Sequence, residues 1–167
     1  MYDGYHSLLL FLLQKQCIHV NEVINEEQQT LLHHYVMRRH PAIVQFLLHQ
    51  GANINQTDIN KRSPLHWTIL DKNLAMTQLL IAAQADVNAI DANGDNALSL
   101  ALEIQHIPIL EVVLSKKPKI GQLFHRAVQM EAIAAVALLL QHNAEVNLQD
   151  NKGKTGIFML SKQEVRF

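Results

Sequence analysis

Gly51-Ala-Asn-Ile-Asn55, Asp58 and Ser63-Pro-Leu-His66 carry the internal period of this chain, because each returns at a fixed distance. The first phrase recurs as Gln84-Ala-Asp-Val-Asn88, 33 residues on, and as Asn143-Ala-Glu-Val-Asn147. The second appears as Thr30-Leu-Leu-His33, Asn96-Ala-Leu-Ser99, Gln122-Leu-Phe-His125 and Thr155-Gly-Ile-Phe158, with starts separated by 33, 33, 26 and 33 residues. An aspartate lies five residues ahead of these starts at Asp58, Asp91 and Asp150, with Asn25 as a near match and Lys117 as the exception. A period of this length is the signature of a repeat array.

Each phrase has a physical meaning. Thr30, Ser63, Asn96 and Thr155 carry side-chain oxygens suited to the orphan amides of a first helical turn, and Pro64 suits the first helical position. About a dozen residues later come the apolar faces Ile43-Val44-Phe46-Leu47-Leu48, Met76-Leu79-Leu80-Ile81, Ile109-Leu110-Val112-Val113-Leu114 and Val136-Leu138-Leu139-Leu140, all at helical spacing. Every unit therefore holds two helices, and the Gly/Asn-rich phrase with its Asp stretch reads as a turn projecting from the pair. One unit cannot bury its own apolar faces, whereas a stack can.

These phrases, in register, resemble the ankyrin repeat. The resemblance implies an all-α solenoid of stacked helix-turn-helix units with projecting β-turn fingers. It divides the chain into a degenerate N-terminal helical cap (1–24), four repeats (25–57, 58–90, 91–116 and 117–149) and a truncated C-terminal repeat or cap (150–167). The cap helix spans Ser7 to Lys15 and offers Leu8, Leu9, Phe11 and Leu12 to the first repeat. The interval of 26 is seven short, and the missing piece is placed where Gly51 to Thr57 lies in the first repeat. One finger is then missing between repeats 3 and 4. Gln122 is a poor cap, Pro108 enters a helix near its start, and the chain stops with Phe158, Met159, Leu160 and Phe167 still apolar, either as a cap or as a docking edge.

Composition excludes several classes of function. Of 167 residues, 49% are apolar, enough for a core rather than a disordered chain. Fourteen Lys and Arg against 15 Asp and Glu leave a net charge of -1, with no excess of cations for a phosphate backbone, so no nucleic-acid partner is expected. A single cysteine, Cys17, forms no internal disulfide and indicates a reducing compartment. Leu8 to Leu13 is too short to span a membrane and lacks the flanks of a signal peptide, so no membrane insertion is expected and the location reads as cytoplasmic.

Ten histidines invite a metal reading. Yet His33, His66 and His125 share one repeat position, where the resemblance implies hydrogen bonds to backbone between units. His33 and His34 diverge on a helix, and the remaining histidines follow no ligand spacing. Cys17 has no local signature of a nucleophile, the glycines form no phosphate-cradling loop, and Glu26-Glu27 complements a helix start. No cofactor, metal or catalytic residue is assigned.

The remaining candidates are on the surface. The resemblance implies partner binding on a concave face made of fingers and first-helix ends. On the fingers the matching positions are Glu26, Glu27, Gln29, Ile59, Asn60, Arg62, Ala92, Asn93, Asp95, Asn151, Lys152 and Lys154; at the helix ends they are Met37, Arg38, Leu70, Asp71, Glu103, Ile104, Gln129 and Met130. Met37, Leu70, Ile104 and Met130 are expected at equivalent, exposed positions as an apolar stripe. Trp67 joins that stripe or fills the inter-repeat groove. The expected function is a non-enzymatic module that binds a protein partner, monomeric unless the C-terminal edge pairs. An ankyrin effector or inhibitor from an intracellular bacterium or virus, acting in host cytoplasm, is an alternative, and an enzyme with its site at the repeat 3/4 junction is a remote one.

Overall fold

The computed structural model describes residues 18–150 and 152–163, together with Ser7, Leu8, 11–13 and Lys15. Helices come in pairs: α1 (Leu31–Met37) with α2 (Pro41–His49), α3 (Pro64–Leu70) with α4 (Leu74–Ala82), α5 (Ala97–Glu103) with α6 (Ile107–Leu114), and α7 (Leu123–Gln129) with α8 (Ile133–Gln141); α9 (Gly156–Gln163) follows alone. Among the described residues there is no strand, only the isolated bridges Val23–Thr30 and Gln149–Thr155 at finger bases.

The repeat is visible in the core as ladders of equivalent residues. Leu32, Leu65, Leu98 and Phe124, two places after each cap, are all buried. So are Val36, Ile69, Leu102 and Val128 on the next turn, and Leu47, Leu80, Val113 and Leu139 on the second helices. Each helix pair thus supplies one layer, and neighbouring layers close the apolar surface that a single unit would leave open. First helices pack in succession from α1 through α3 to α5, and α7 packs on α9. Between α5 and α7 the contact is much weaker, and it is α6 on α8 that joins the two blocks.

The fingers are built by their aspartates. The Asp58 carboxylate accepts from the N–H groups of Asn60 and Arg62, that of Asp91 from Asn93 and Asp95, and that of Asp150 from Lys152 and Lys154. Adjacent fingers are zipped by backbone bonds, Ile59 N–H to the Glu27 carbonyl and Ala92 N–H to the Asn60 carbonyl, both at 2.9 Å. At the finger bases an asparagine ladder links successive units: Asn21 Oδ1 accepts from Asn53 N–H, Asn55 from Asp86, and Asn88 from Lys119.

That ladder corrects the placement of the missing piece. Lys119 stands where Asn53 and Asp86 stand, and Lys117 has the left-handed backbone (φ 52°) found at Gly51 (84°) and Gln84 (67°). Lys117-Pro-Lys-Ile-Gly121 is therefore another copy of the turn phrase, with Pro118 buried in the place of Ala85. The seven residues that are lacking correspond to Gln56–Arg62, the finger itself, and not to Gly51–Thr57. Lys117 interrupts the aspartate series because the segment carrying that aspartate is absent.

At the N-terminal side the contact with the first repeat also differs from expectation. Leu13 is buried and Leu12 half-buried, while Leu8 and Phe11 are each 53% exposed. Of the described residues in this segment, Leu13 is the one in the core. Leu9, Cys17, Asn151 and Phe167, and the side chain of Leu160, lie outside the described residues. At the other end Met159 packs on the core, while Ile157 and Phe158 stay largely exposed.

Candidate functional site

Finger and first-helix residues meet where Arg62 lies over the Trp67 ring and around the cleft that Asp95 and Gln129 line. Ile59 (58% exposed), Asn60 and Asn93 project from fingers whose backbones are held by the aspartate cages. Arg62 is half-buried, 3.4 Å from the Asp91 carboxylate and over the Trp67 ring, whose Nε1 donates to Asp58 at 3.0 Å. Trp67 is thus a half-buried brace for the finger. Burial alone would raise the Asp91 carboxyl, but the N–H groups of Asp95 and Asn93 and the Arg62 guanidinium outweigh it and hold it below the ordinary value.

The helix ends are arranged differently from the expected stripe. Met37 and Leu70 are the last residues of α1 and α3, but Ile104 and Met130 are the caps that follow α5 and α7, one register place later. The true equivalents of Met37 and Leu70 are Glu103 and Gln129, both exposed. All four apolar residues are half-buried, with Leu70, Ile104 and Met130 packed against the core. No continuous exposed stripe forms. The exposed groups at the helix ends are Arg38, Asp71, Glu103 and Gln129. Asp71 receives two hydrogen bonds of 2.8 Å from Arg39 of the preceding unit.

His33 and His66 are structural. Their Nε2 atoms donate to the carbonyls of Arg62 and Ala89, each at 3.1 Å, so each Nδ1 is an acceptor. It receives the N–H and hydroxyl of Thr30 in one unit and of Ser63 in the next. Repeat 3 has Ser99 at this position, with its hydroxyl turned back onto Asp95 and Asn96. A ring there would face the gap, where no following finger carries a carbonyl. Burial depresses both histidines below the ordinary value of 6.5. A depressed histidine is neutral in the fold and charged in the open chain, so its stabilisation is complete above that value and is lost as pH falls. Lowering the pH from about 7.5 to about 5 should reduce the urea midpoint, and a His33→Gln, His66→Gln double variant should show a shallower decline from a lower starting point. Among the described residues no group of three His, Cys, Asp or Glu side chains could hold a metal.

The missing finger leaves a cleft of about 690 Å³ between the third finger and the last one. Asp95, Asn96, Ser99, Lys119, Gln122, His125, Arg126, Gln129, Asp150 and Lys152 line it. Arg126 spans its floor, reaching Asp95 at 3.3 Å and Glu103 by a second ion pair. Of the residues expected on the docking face, Asp95, Gln129 and Lys152 thus meet at this cleft.

Two ankyrin family models match the chain, "Ankyrin repeats (3 copies)" over residues 41–123 and "Ankyrin repeats (many copies)" over residues 1–48. The chain belongs to the ankyrin repeat family. Among solved structures, the ankyrin repeat domain of Bcl-3, described as a unique member of the IkappaB protein family, is similar with a TM-score of 0.83 and 23% identity over 94% of this chain and 74% of that one. No curated protein sequence matches. Ankyrin repeats are in general protein-protein interaction modules, typically without catalysis of their own. No helix among the described residues is long and apolar enough to cross a membrane.

Proposed function

We propose that this chain is a non-enzymatic docking module that binds a partner protein on the face formed by its fingers and first-helix ends. The observation that carries the reading is the zipped finger row: exposed Ile59, Asn60 and Asn93 sit on backbones fixed by the aspartate cages and by the finger-to-finger bonds. A surface ordered before contact loses little conformational freedom on binding. Arg38, Asp71, Glu103 and Gln129 flank that row as a polar rim, where charge governs rate and orientation more than affinity. Leu70, Ile104 and Met130 contribute less than their hydrophobicity suggests, because part of each already packs against the core, and Met37 is itself half-buried.

Affinity capture tests the reading with two variants of the full chain. Ile59→Glu with Asn93→Arg alters the finger row, and Gln45→Glu with Gln78→Glu alters exposed positions on α2 and α4. The finger variant should lose the proteins that the parent captures, and the second variant should retain them. The opposite pattern would move the docking face to the second helices.

A further inference from the structure

The gap left by the absent finger has an unfinished edge on one side. Each finger offers the carbonyl two places after its cage residue to the next: Glu27 to Ile59 N–H and Asn60 to Ala92 N–H. The corresponding carbonyl on the third finger is that of Asn93, and among the described residues no N–H meets it. The next two residues in the chain, Gly94 and Asp95, line the cleft.

A second observation lies on the floor. His125 is 3% exposed, lines the cleft, and donates from Nε2 to the Lys154 carbonyl at 3.2 Å, which leaves Nδ1 as the second hydrogen-bonding atom of the ring. Unlike the same atom of His33 and His66, it has no hydrogen-bond partner. The reason is local: Thr30 and Ser63 follow a finger and have extended backbones (ψ 172° and 165°) that bring N–H and hydroxyl onto the ring, whereas Gln122 follows the gap and is turned (ψ 4°). A buried polar atom left unpaired is costly, so a hydrogen-bonding group arriving there is favoured.

The walls supply a third. Asp95 is engaged by Arg126, and Asp150 Oδ1 by its own finger's N–H groups. Neither the Lys119 nor the Lys152 ammonium group has a carboxylate partner among the described residues. A free backbone acceptor next to the cleft, a buried unpaired ring nitrogen and two unpaired cations therefore lie close together.

We propose that this gap receives a tight acidic turn of the partner protein, which takes the place of the missing finger. One N–H of the turn donates to the Asn93 carbonyl, continuing the zipper. Its carboxylates meet Lys119 and Lys152, and a hydroxyl or side-chain amide of the turn, able to donate or accept, pairs with His125 Nδ1 once the side chains over that buried atom move aside. This adds an edge-pairing mode to the docking reading above and rests on it.

A defined probe tests the proposal without the natural partner. A cyclised peptide with the sequence of residues 89–95, itself an acidic finger, is titrated into the full chain and followed by nitrogen-15 NMR of backbone amides and histidine rings. Saturable shifts at Gly94, Lys119 and His125 Nδ1 are expected, and Lys119→Glu with Lys152→Glu should weaken binding by about tenfold or more. A chain with the same seven residues inserted between Gly121 and Gln122 fills the gap in cis and should bind no peptide. Absence of shifts in the parent, equal binding by the inserted chain, or equal binding of a peptide with both aspartates changed to asparagine would each overturn the proposal. Self-association of the parent that disappears in the inserted chain would make a second copy the occupant and overturn the assignment to a partner. Because the probe is defined, these failures are separable from loss of capture by the finger variant.

Discussion

Leu80→Asp is expected to cost about 4 kcal/mol or more, enough to bring the array close to unfolding at room temperature. Leu80 is fully buried at the middle of the second-helix ladder, between Leu47 of the preceding layer and Val113 of the following one. No Lys or Arg is buried among the described residues, and a carboxylate there also removes the apolar contacts that two interfaces share. Because each layer touches only its neighbours, damage in an internal layer weakens the array on both sides. Asn60→Asp, on an exposed finger position, should change the urea midpoint by no more than about 0.5 kcal/mol equivalent. Coincident midpoints for the two variants would show that the ladder is misassigned.

The second large effect concerns His66. Its ring takes the N–H and hydroxyl of Ser63 and donates to the Ala89 carbonyl, fastening the cap of α3 to the following finger. His66→Ala removes all three bonds and leaves the buried Ser63 hydroxyl without its partner, at a cost of about 2–4 kcal/mol. Gln retains one donor and one acceptor and should recover part of that loss. Ser99→His, the reverse transplant, should bring no gain, since no following finger lies across from it. Differential unfolding of the three variants checks both halves of the argument: a stabilised Ser99→His chain would mean that the ring's value comes from packing alone.

The periodic phrases made the fold legible because each has a separate structural task. Cap, finger cage and turn recur independently, so one degraded copy does not hide the register. What escaped the sequence was the copy at Lys117 to Gly121. There Lys replaces Gly at a left-handed position and Pro replaces Ala at a buried one, and backbone geometry tolerates both while the letters no longer match. The asparagine ladder would have revealed it, since Asn21, Asn55 and Asn88 each reach a unit that the alignment of phrases treats separately. The apolar stripe failed for a simpler reason. Met37 and Leu70 lie seven residues after their caps, but Ile104 and Met130 lie eight after theirs, and one place on a helix turns a side chain by about 100°. The poor cap at Gln122 was visible in the sequence. Its consequence, an unpaired ring nitrogen beneath a gap, depends on a backbone turn that residue types do not encode.

Hydrogen exchange on the complex with a captured partner tests the docking face most directly. If the finger row binds, the amides of Ile59 to Arg62 and Ala92 to Asp95 gain protection, together with Lys119 where the partner's turn enters the gap. Protection confined to the second helices, or to the exposed apolar side of α8 around Ile133 and Leu140, with the fingers exchanging as in the free chain, would contradict the account.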